Sequence, residues 1–334
     1  MRIPYAFFCA HAQASELTAA IEARKNCRGS SKMIETLPAY FIQNNLGSFE
    51  EEGERWLHAL PDLLAEYAER WSLTIHPHFP GLSYNYVAPA TLPDGREVVF
   101  KAGVVRDEVD REIEALRWYA GQGMVKLIQA EPTRGVMLLE RIHPGEWLTG
   151  HADDDAATQI AAEVMAQLFR PLPADHPFED VAAWARDLDV LRLHFDGGTG
   201  PISLRLVEMA ERFFAELLAS SGSPVLIHGD LHHYNILSHG DGWIGIDPKG
   251  MAGEAEYEAG SLLRNPEGLH TWPDLPKIQE RRVEILCDRL GFDRPRVVRW
   301  SIAQAVLSGW WTIDSGGDDW QTAIACAESL IPLL

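Results

Sequence analysis

From residue 228 to residue 250 the chain reads HGDLHHYNILSHGDGWIGIDPKG, and three of these side chains are of the types that moving a phosphoryl group demands. Such a transfer needs one carboxylate to orient the attacking hydroxyl, and an amide with a second carboxylate to hold Mg²⁺. Asp230, Asn235 and Asp247 follow in that order, and an apolar run precedes each aspartate. Asp230 is the expected catalytic base or hydroxyl-orienting group. Asn235 and Asp247 are the expected Mg²⁺ ligands, because Mg²⁺ takes few hard oxygen donors from protein and the rest from phosphates and water. Each residue alone has a plainer use. An Asp after a strand often caps a turn, an Asn in a loop often bonds the backbone, and Asp247 stands just before Pro248. The combination and its spacing outweigh those single uses. His228 is expected to tether the loop by hydrogen bonds rather than to act on substrate. A competing reading takes His228, Asp230, His232 and His233 as a metallophosphoesterase cluster, but the further ligands it needs, such as a Gly-Asn-His segment, do not follow in the sequence.

This segment resembles the catalytic and metal loops of the protein-kinase-like fold. Its flanking letters are similar to those of the aminoglycoside phosphotransferases, and within them to the streptomycin 6-kinase and hydroxyurea kinase family. The resemblance extends over roughly residues 34–333, includes the Leu262-Leu263-Arg264-Asn265-Pro266 string, and implies ATP and Mg²⁺ as cofactors in a cleft of a bilobal fold. His-Gly-Asp replaces the His-Arg-Asp of protein kinases, which favours a small-molecule acceptor. In the strand Glu97-Val98-Val99-Phe100-Lys101, alternation places Val99 and Lys101 on one face. The resemblance makes Lys101 the grip on the α and β phosphates, Val99 a wall of the adenine pocket, and Glu112 the ion-pair partner of Lys101. Glu108, one turn earlier, is the fallback. The phosphate-covering turn reads Pro80-Gly81-Leu82-Ser83-Tyr84-Asn85 with a single Gly, so Ser83 serves either as a phosphate contact or as an ordinary turn residue. The segment Leu139-Glu140-Arg141-Ile142 stands where a kinase hinge meets adenine, implicating Glu140 and Ile142. Lys249 either neutralises the transferred phosphoryl group or is solvated at a loop.

For the acceptor, the acids Asp314 and Asp318 beside Trp310, Trp311 and Trp320 are candidates, since carboxylates next to aromatic rings hold cations. The tryptophans themselves read as core. Asp153, Asp154 and Asp155 read as complements to a helix dipole. The expected function is transfer of the ATP γ-phosphate to an alcohol group of a cationic, streptomycin-type secondary metabolite. Hydroxyurea is the alternative acceptor, and a catalytically silent nucleotide-binding protein the alternative of another class.

Several elements must position these groups. Residues 48–71 carry apolar side chains at helical spacing, with Pro61 expected to divide them into two helices. Short β-type runs at 72–76, 84–90 and 96–102 follow, with Asp94-Gly95 as a hairpin turn. A helix over 106–120 and strands at 125–129 and 136–141 complete a β-rich part. Thereafter helical spacing dominates, near 156–170, 203–220, 276–290, 295–312 and 318–332, interrupted by two expected strands at 225–228 and 243–247. The fold class is therefore α+β: a leader over 1–32, a nucleotide-binding lobe over 33–142, and a helical lobe over 143–334.

Net charge is −20, from 29 basic and 49 acidic side chains, which disfavours nucleic acid and permits a cationic substrate. No apolar run is long enough to span a membrane, and the first residues make a weak secretory signal. Four scattered cysteines without Cys-x-x-Cys spacing suit a reduced, cytoplasmic protein.

Overall fold

A computed structural model describes residues 37–334; the expected leader and Cys9 and Cys27 lie outside the described residues. The chain separates into two compact units, the first running to Ile113 and including Leu127–Arg141, the second comprising Glu114–Lys126 and Ile142–Leu334.

In the first unit, helix α1 (Ala39–Arg70) breaks at Glu50, not at Pro61. Glu50 takes φ 48° and ψ −126°, whereas the helix runs through Pro61 without interruption. Buried Leu57 and Leu60 on one side of Pro61, and Leu63, Leu64 and Tyr67 on the other, form one continuous apolar stripe. Tertiary burial of that stripe outweighs the lost hydrogen bond. Its partner is an antiparallel sheet of β1 (Thr74–Ile75), β2 (Tyr86–Thr91), β3 (Glu97–Ala102), β4 (Leu127–Glu131) and β5 (Val136–Glu140), in the order β1-β2-β3-β5-β4. Val98, Phe100 and Ala102 of β3 join Leu60, Leu64 and Tyr67 in the core. Strand alternation therefore turns Val99 and Lys101 to the opposite face, as expected. Helix α2 (Asp107–Tyr119) follows β3 with three acids in its first turn, where they favour the dipole.

The second unit is mostly helical, but its strands exceed the expected two. β6 (Pro144–Trp147) pairs with β10 (Ile236–His239), which pairs with β11 (Gly242–Gly245). A second small sheet holds β7 (Arg170–Pro171), β8 (Glu179–Asp180), β9 (Val225–Ile227) and β12 (Met251–Gly253). Strands of two to four residues are too short to leave a readable alternation. The helices are α3 (Asp154–Leu168), α4 (Val181–Ala185), α5 (Asp187–His194), α6 (Leu204–Ser220), α7 (Ala259–Leu263), α8 (Leu275–Leu290), α9 (Arg294–Asp314) and α10 (Trp320–Leu330). α9 is buried nearly all round, with Trp300 and Trp310 each 1 % exposed. The expected α+β class thus holds. Among the described residues no helix is long and apolar enough to cross a membrane.

The acids at the start of α3 do more than complement its dipole. Asp153 is the N-cap, accepting from the backbone N–H groups of Asp155 and Ala156. Asp154 forms a bidentate ion pair with Arg282 of α8, whose guanidinium is fully buried and also donates to the Leu262 and Asn265 carbonyls. Removing Arg282 strips the Asp154 carboxylate of its ion-pair partner and the Asn265 carbonyl of its donor. Arg282→Met is therefore expected to lower the unfolding free energy by about 3 kcal/mol, read as an earlier urea midpoint at unchanged slope. An unshifted midpoint would show that the pair contributes nothing.

Candidate active site

In the first unit, Lys101 and Glu112 are both buried, and Nζ donates to Oε1 at 2.6 Å. The β-sheet supplies a rigid base for the lysine, and α2 presents the glutamate. Glu108 instead lies 3.7 Å from Arg111, so the fallback partner is not used. Val99 is half-buried on the lysine's face. Ser83 is half-buried, with its carbonyl accepting from the Asn44 amide at 3.2 Å. Glu140 closes β5 opposite Val98, and the boundary between the units falls just beyond it, between Arg141 and Ile142.

In the second unit the loop after β9 and the loop after β11 are bound into one structure. The buried His228 ring donates from Nε2 to the Ile246 carbonyl at 2.7 Å and accepts at Nδ1 from the Asp230 N–H at 3.2 Å. These two bonds require the neutral imidazole, and burial drives its pKa down to about 4. The Asn235 side-chain amide nitrogen donates to the Asp230 backbone carbonyl at 2.9 Å, while the Asn235 backbone carbonyl accepts from Ile246 N–H at 2.9 Å. Lys249 N–H returns to the His228 carbonyl at 2.8 Å. Asp247 sits between these anchored neighbours with φ +58°, a conformation uncommon for a residue with a side chain. Asp230, Asn235 and Asp247 therefore share one hydrogen-bonded loop pair.

Gly229 shows why the second letter of the motif is small: φ is +84°, and a Cβ there would stand 2.9 Å from Met251 Cγ and 3.3 Å from Lys249 Cβ. The sequence reading missed what supports this turn. Glu258, 1 % exposed, accepts from Gly229 N–H through Oε2 at 3.0 Å and from Leu231 N–H through Oε1 at 3.1 Å, gripping the backbone on both sides of Asp230. Its partners lie 29 and 27 residues back along the chain, so no local spacing pointed to it.

Residues 70–316 match the family model described as aminoglycoside/hydroxyurea antibiotic resistance kinase. The chain belongs to that family. It is 30% identical over 290 residues to streptomycin 6-kinase of Streptomyces glaucescens, covering 86% of this chain and 94% of the relative. It is also 30% identical over 292 residues to hydroxyurea phosphotransferase of Kitasatospora aureofaciens, covering 84% and 81%. The fold is similar to that of a thermostable mutant aminoglycoside phosphotransferase solved with ADP and hygromycin B, at TM-score 0.57 and 12% identity over 82% of this chain and 97% of that one. As a member of the antibiotic resistance kinases, the chain is a small-molecule phosphotransferase of the aminoglycoside type.

The metallophosphoesterase arrangement does not survive. Among the described residues no three His, Cys, Asp or Glu side chains stand together as a metal-binding group. Both His228 nitrogens serve the backbone, and His232 Nδ1 accepts from Tyr234 N–H at 3.2 Å. The kinase pattern asks less of the protein, one amide oxygen and one carboxylate beside nucleotide phosphates. The donor set fits: the Asn235 nitrogen is committed to the Asp230 carbonyl, which leaves the oxygen as the end suited to a hard cation.

On the acceptor side, Trp310 and Trp311 are core, as expected. Asp314 and Asp318 are exposed, and among the described residues neither makes a hydrogen bond or ion pair with the 228–250 segment. The acid that the tryptophans organise is Asp187, whose Oδ2 accepts from the Trp311 indole at 2.8 Å. Trp184 meets Trp311 edge-on at 5.2 Å and lies 3.4 Å from the Cβ position of Gly229. Lys249 is half-buried beside the same glycine.

Burial raises the Glu258 carboxyl to about 7, against the two N–H bonds that favour its anion. A carboxyl with a raised folded pKa contributes stability in full below its unfolded value, and that contribution is lost as pH rises through the folded value. Stability is thus expected to fall by about 3 kcal/mol between pH 4.5 and 7 on this group's account. His228, with its lowered pKa, acts in the opposite sense, losing stability as pH falls from 6.5 towards 4. The wild-type minus Glu258→Gln difference in unfolding free energy isolates the glutamate. It should shrink as pH rises from 5 to 8, and a flat difference would overturn the assignment.

Proposed function

We propose that this chain transfers the γ-phosphate of ATP to an alcohol group of a cationic, streptomycin-type molecule in the cytosol. The carrying observation is the pair of loops joined through His228 and Asn235, which gathers Asp230, Asn235 and Asp247. Asp230 accepts or orients the proton of the acceptor hydroxyl, so that its oxygen lines up with the phosphorus. Asn235 and Asp247 hold Mg²⁺, which when bound supplies charge neutralisation on the β and γ phosphates. Lys101, fixed by Glu112, holds the α and β phosphates. Val99 and Ile142 offer apolar contact to adenine, Glu140 its backbone, and Ser83 a polar group near the phosphates. Residues 33–142 serve the nucleotide, and residues 143–334 supply the catalytic loop and the acceptor site.

A cationic acceptor is supported by the net charge of −20 and by Asp187 set among indole rings. Lys249 neutralises the phosphoryl group in flight, while Asp314 and Asp318 are open to solvent for an outer contact with a large acceptor. Similarity at 30% to a hydroxyurea phosphotransferase keeps hydroxyurea as the second acceptor.

The test is incubation with γ-labelled ATP, Mg²⁺ and a panel of aminoglycosides with hydroxyurea, followed by separation of labelled product. Streptomycin or a close analogue should carry the label. Asp230→Ala should lower the turnover about 10³-fold while the protein remains folded. Asp247→Asn should demand a higher Mg²⁺ concentration for half-maximal rate. No labelled acceptor across the panel, or an Asp230→Ala variant at full rate, would refute the reading.

A further inference from the structure

Among the described residues, Arg264 is a cation that forms no ion pair with a carboxylate. It follows α7, six residues after Glu258. Its Nη1 donates to the Gly260 carbonyl at 2.9 Å and to Gln304 Oε1 at 2.6 Å. Among the described residues these are its hydrogen bonds, so Nε and Nη2 donate to no protein acceptor, and no carboxylate stands within 4.0 Å. The acid whose charge it feels most is Asp230, and its own charge reaches His232 as well.

The support for this guanidinium is specific. Gln304 projects from α9, is 1 % exposed, and occupies the space where a side chain at position 260 would begin. A Cβ on Gly260 would lie 1.9 Å from Gln304 Oε1. A neutral amide thus orients the arginine while leaving its charge uncancelled. Half-burying a cation this way is unfavourable unless an anion arrives. The contrast is Arg282, fully buried in the same unit where Arg264 is half-buried, whose charge Asp154 cancels outright.

We infer that Arg264 is a catalytic residue, donating hydrogen bonds from Nε and Nη2 to a non-bridging oxygen of the phosphoryl group as it passes to the acceptor. This rests on the kinase reading above. In that step the acceptor oxygen–phosphorus bond forms while the bond from phosphorus to the β-phosphate oxygen breaks. The electron pair leaves with ADP, and the hydroxyl proton passes to Asp230. The guanidinium gains a charge partner as the phosphoryl group approaches Asp230, so its interaction is strongest in the transition state.

Arg264→Gln, Arg264→Lys and Arg264→Ala separate this role from a structural one. Arg264→Gln should lose about 10²-fold in kcat, with KM for ATP changed less than threefold. Arg264→Lys should recover part of the loss, and guanidinium chloride at millimolar concentration should restore part of the Arg264→Ala rate. A second arm needs no acceptor: ADP with Mg²⁺ and aluminium fluoride, which mimics the phosphoryl group in flight, is titrated against each variant. Wild type should bind the fluoride complex at least tenfold more tightly than ADP, and Arg264→Gln should lose that advantage while binding ADP as before. Retained kcat, or a retained fluoride advantage in Arg264→Gln, would overturn the assignment. If wild type labels no acceptor yet shows the advantage and Arg264→Gln loses it, the acceptor identity fails and Arg264 stands. If wild type binds neither ADP complex, the kinase reading falls and this inference with it.

Discussion

One neutral imidazole holds the two loops of the 228–250 segment together. His228 spends both ring nitrogens on backbone, one toward the loop that carries Asp230 and the other toward the strand end that carries Asp247. A protonated ring would offer a second N–H to the Asp230 N–H, turning an attraction into a clash of donors. Complete burial removes that state across the ordinary pH range by disfavouring the charged form. The histidine is therefore a hinge pin made rigid by desolvation. The Asn235 bonds and the return of Lys249 N–H to His228 are consistent only with that one placement.

Glu258 and Arg264 extend the same logic outward. The glutamate fixes the backbone on either side of Asp230, and the arginine places positive charge near the same carboxylate. Neither arrangement is chosen for stability. Burial raises the pKa of Glu258, and Arg264 is held by an amide where a carboxylate would neutralise it. The surrounding helices absorb the expense, with α9 nearly all buried and Arg282 clamping α8 to α3. Unfavourable local electrostatics sustained by a well-packed frame is the pattern of a site organised around an incoming anion.

What could be read from the sequence follows the range over which each interaction acts. Asp230, Asn235 and Asp247 were legible because their geometry is set by two adjacent loops, within a span of eighteen residues. Lys101 was legible because strand period decides its face, and Glu112 because the family pattern names it. The strands of two to four residues were not legible, since so short a run shows no period. Pro61 misled for a related reason: the local rule is a broken hydrogen bond, but five buried side chains on a continuous stripe decide the outcome. Glu258, Asp187 and Gln304 lay beyond reach because their partners are 27 to 124 residues away in sequence. No spacing rule connects them.

The distribution of acids argues for a division of labour that net charge alone conceals. Of the acids near the loops, Asp154 is neutralised by Arg282, and Glu254 by Arg296, so neither adds to the field felt by a ligand. Asp187 accepts from the Trp311 indole N–H, a neutral donor that orients its carboxylate. Arg264 is the mirror case, a guanidinium oriented by a neutral amide. Each has its direction fixed by a neutral hydrogen-bonding group, an indole for the carboxylate and an amide for the guanidinium. An alcohol bearing a cationic group, together with a phosphoryl group in transit, presents charges of the opposite signs. On the proposed reading, the chain's excess of acids attracts the first in bulk, and the Arg264 guanidinium meets the second at close range.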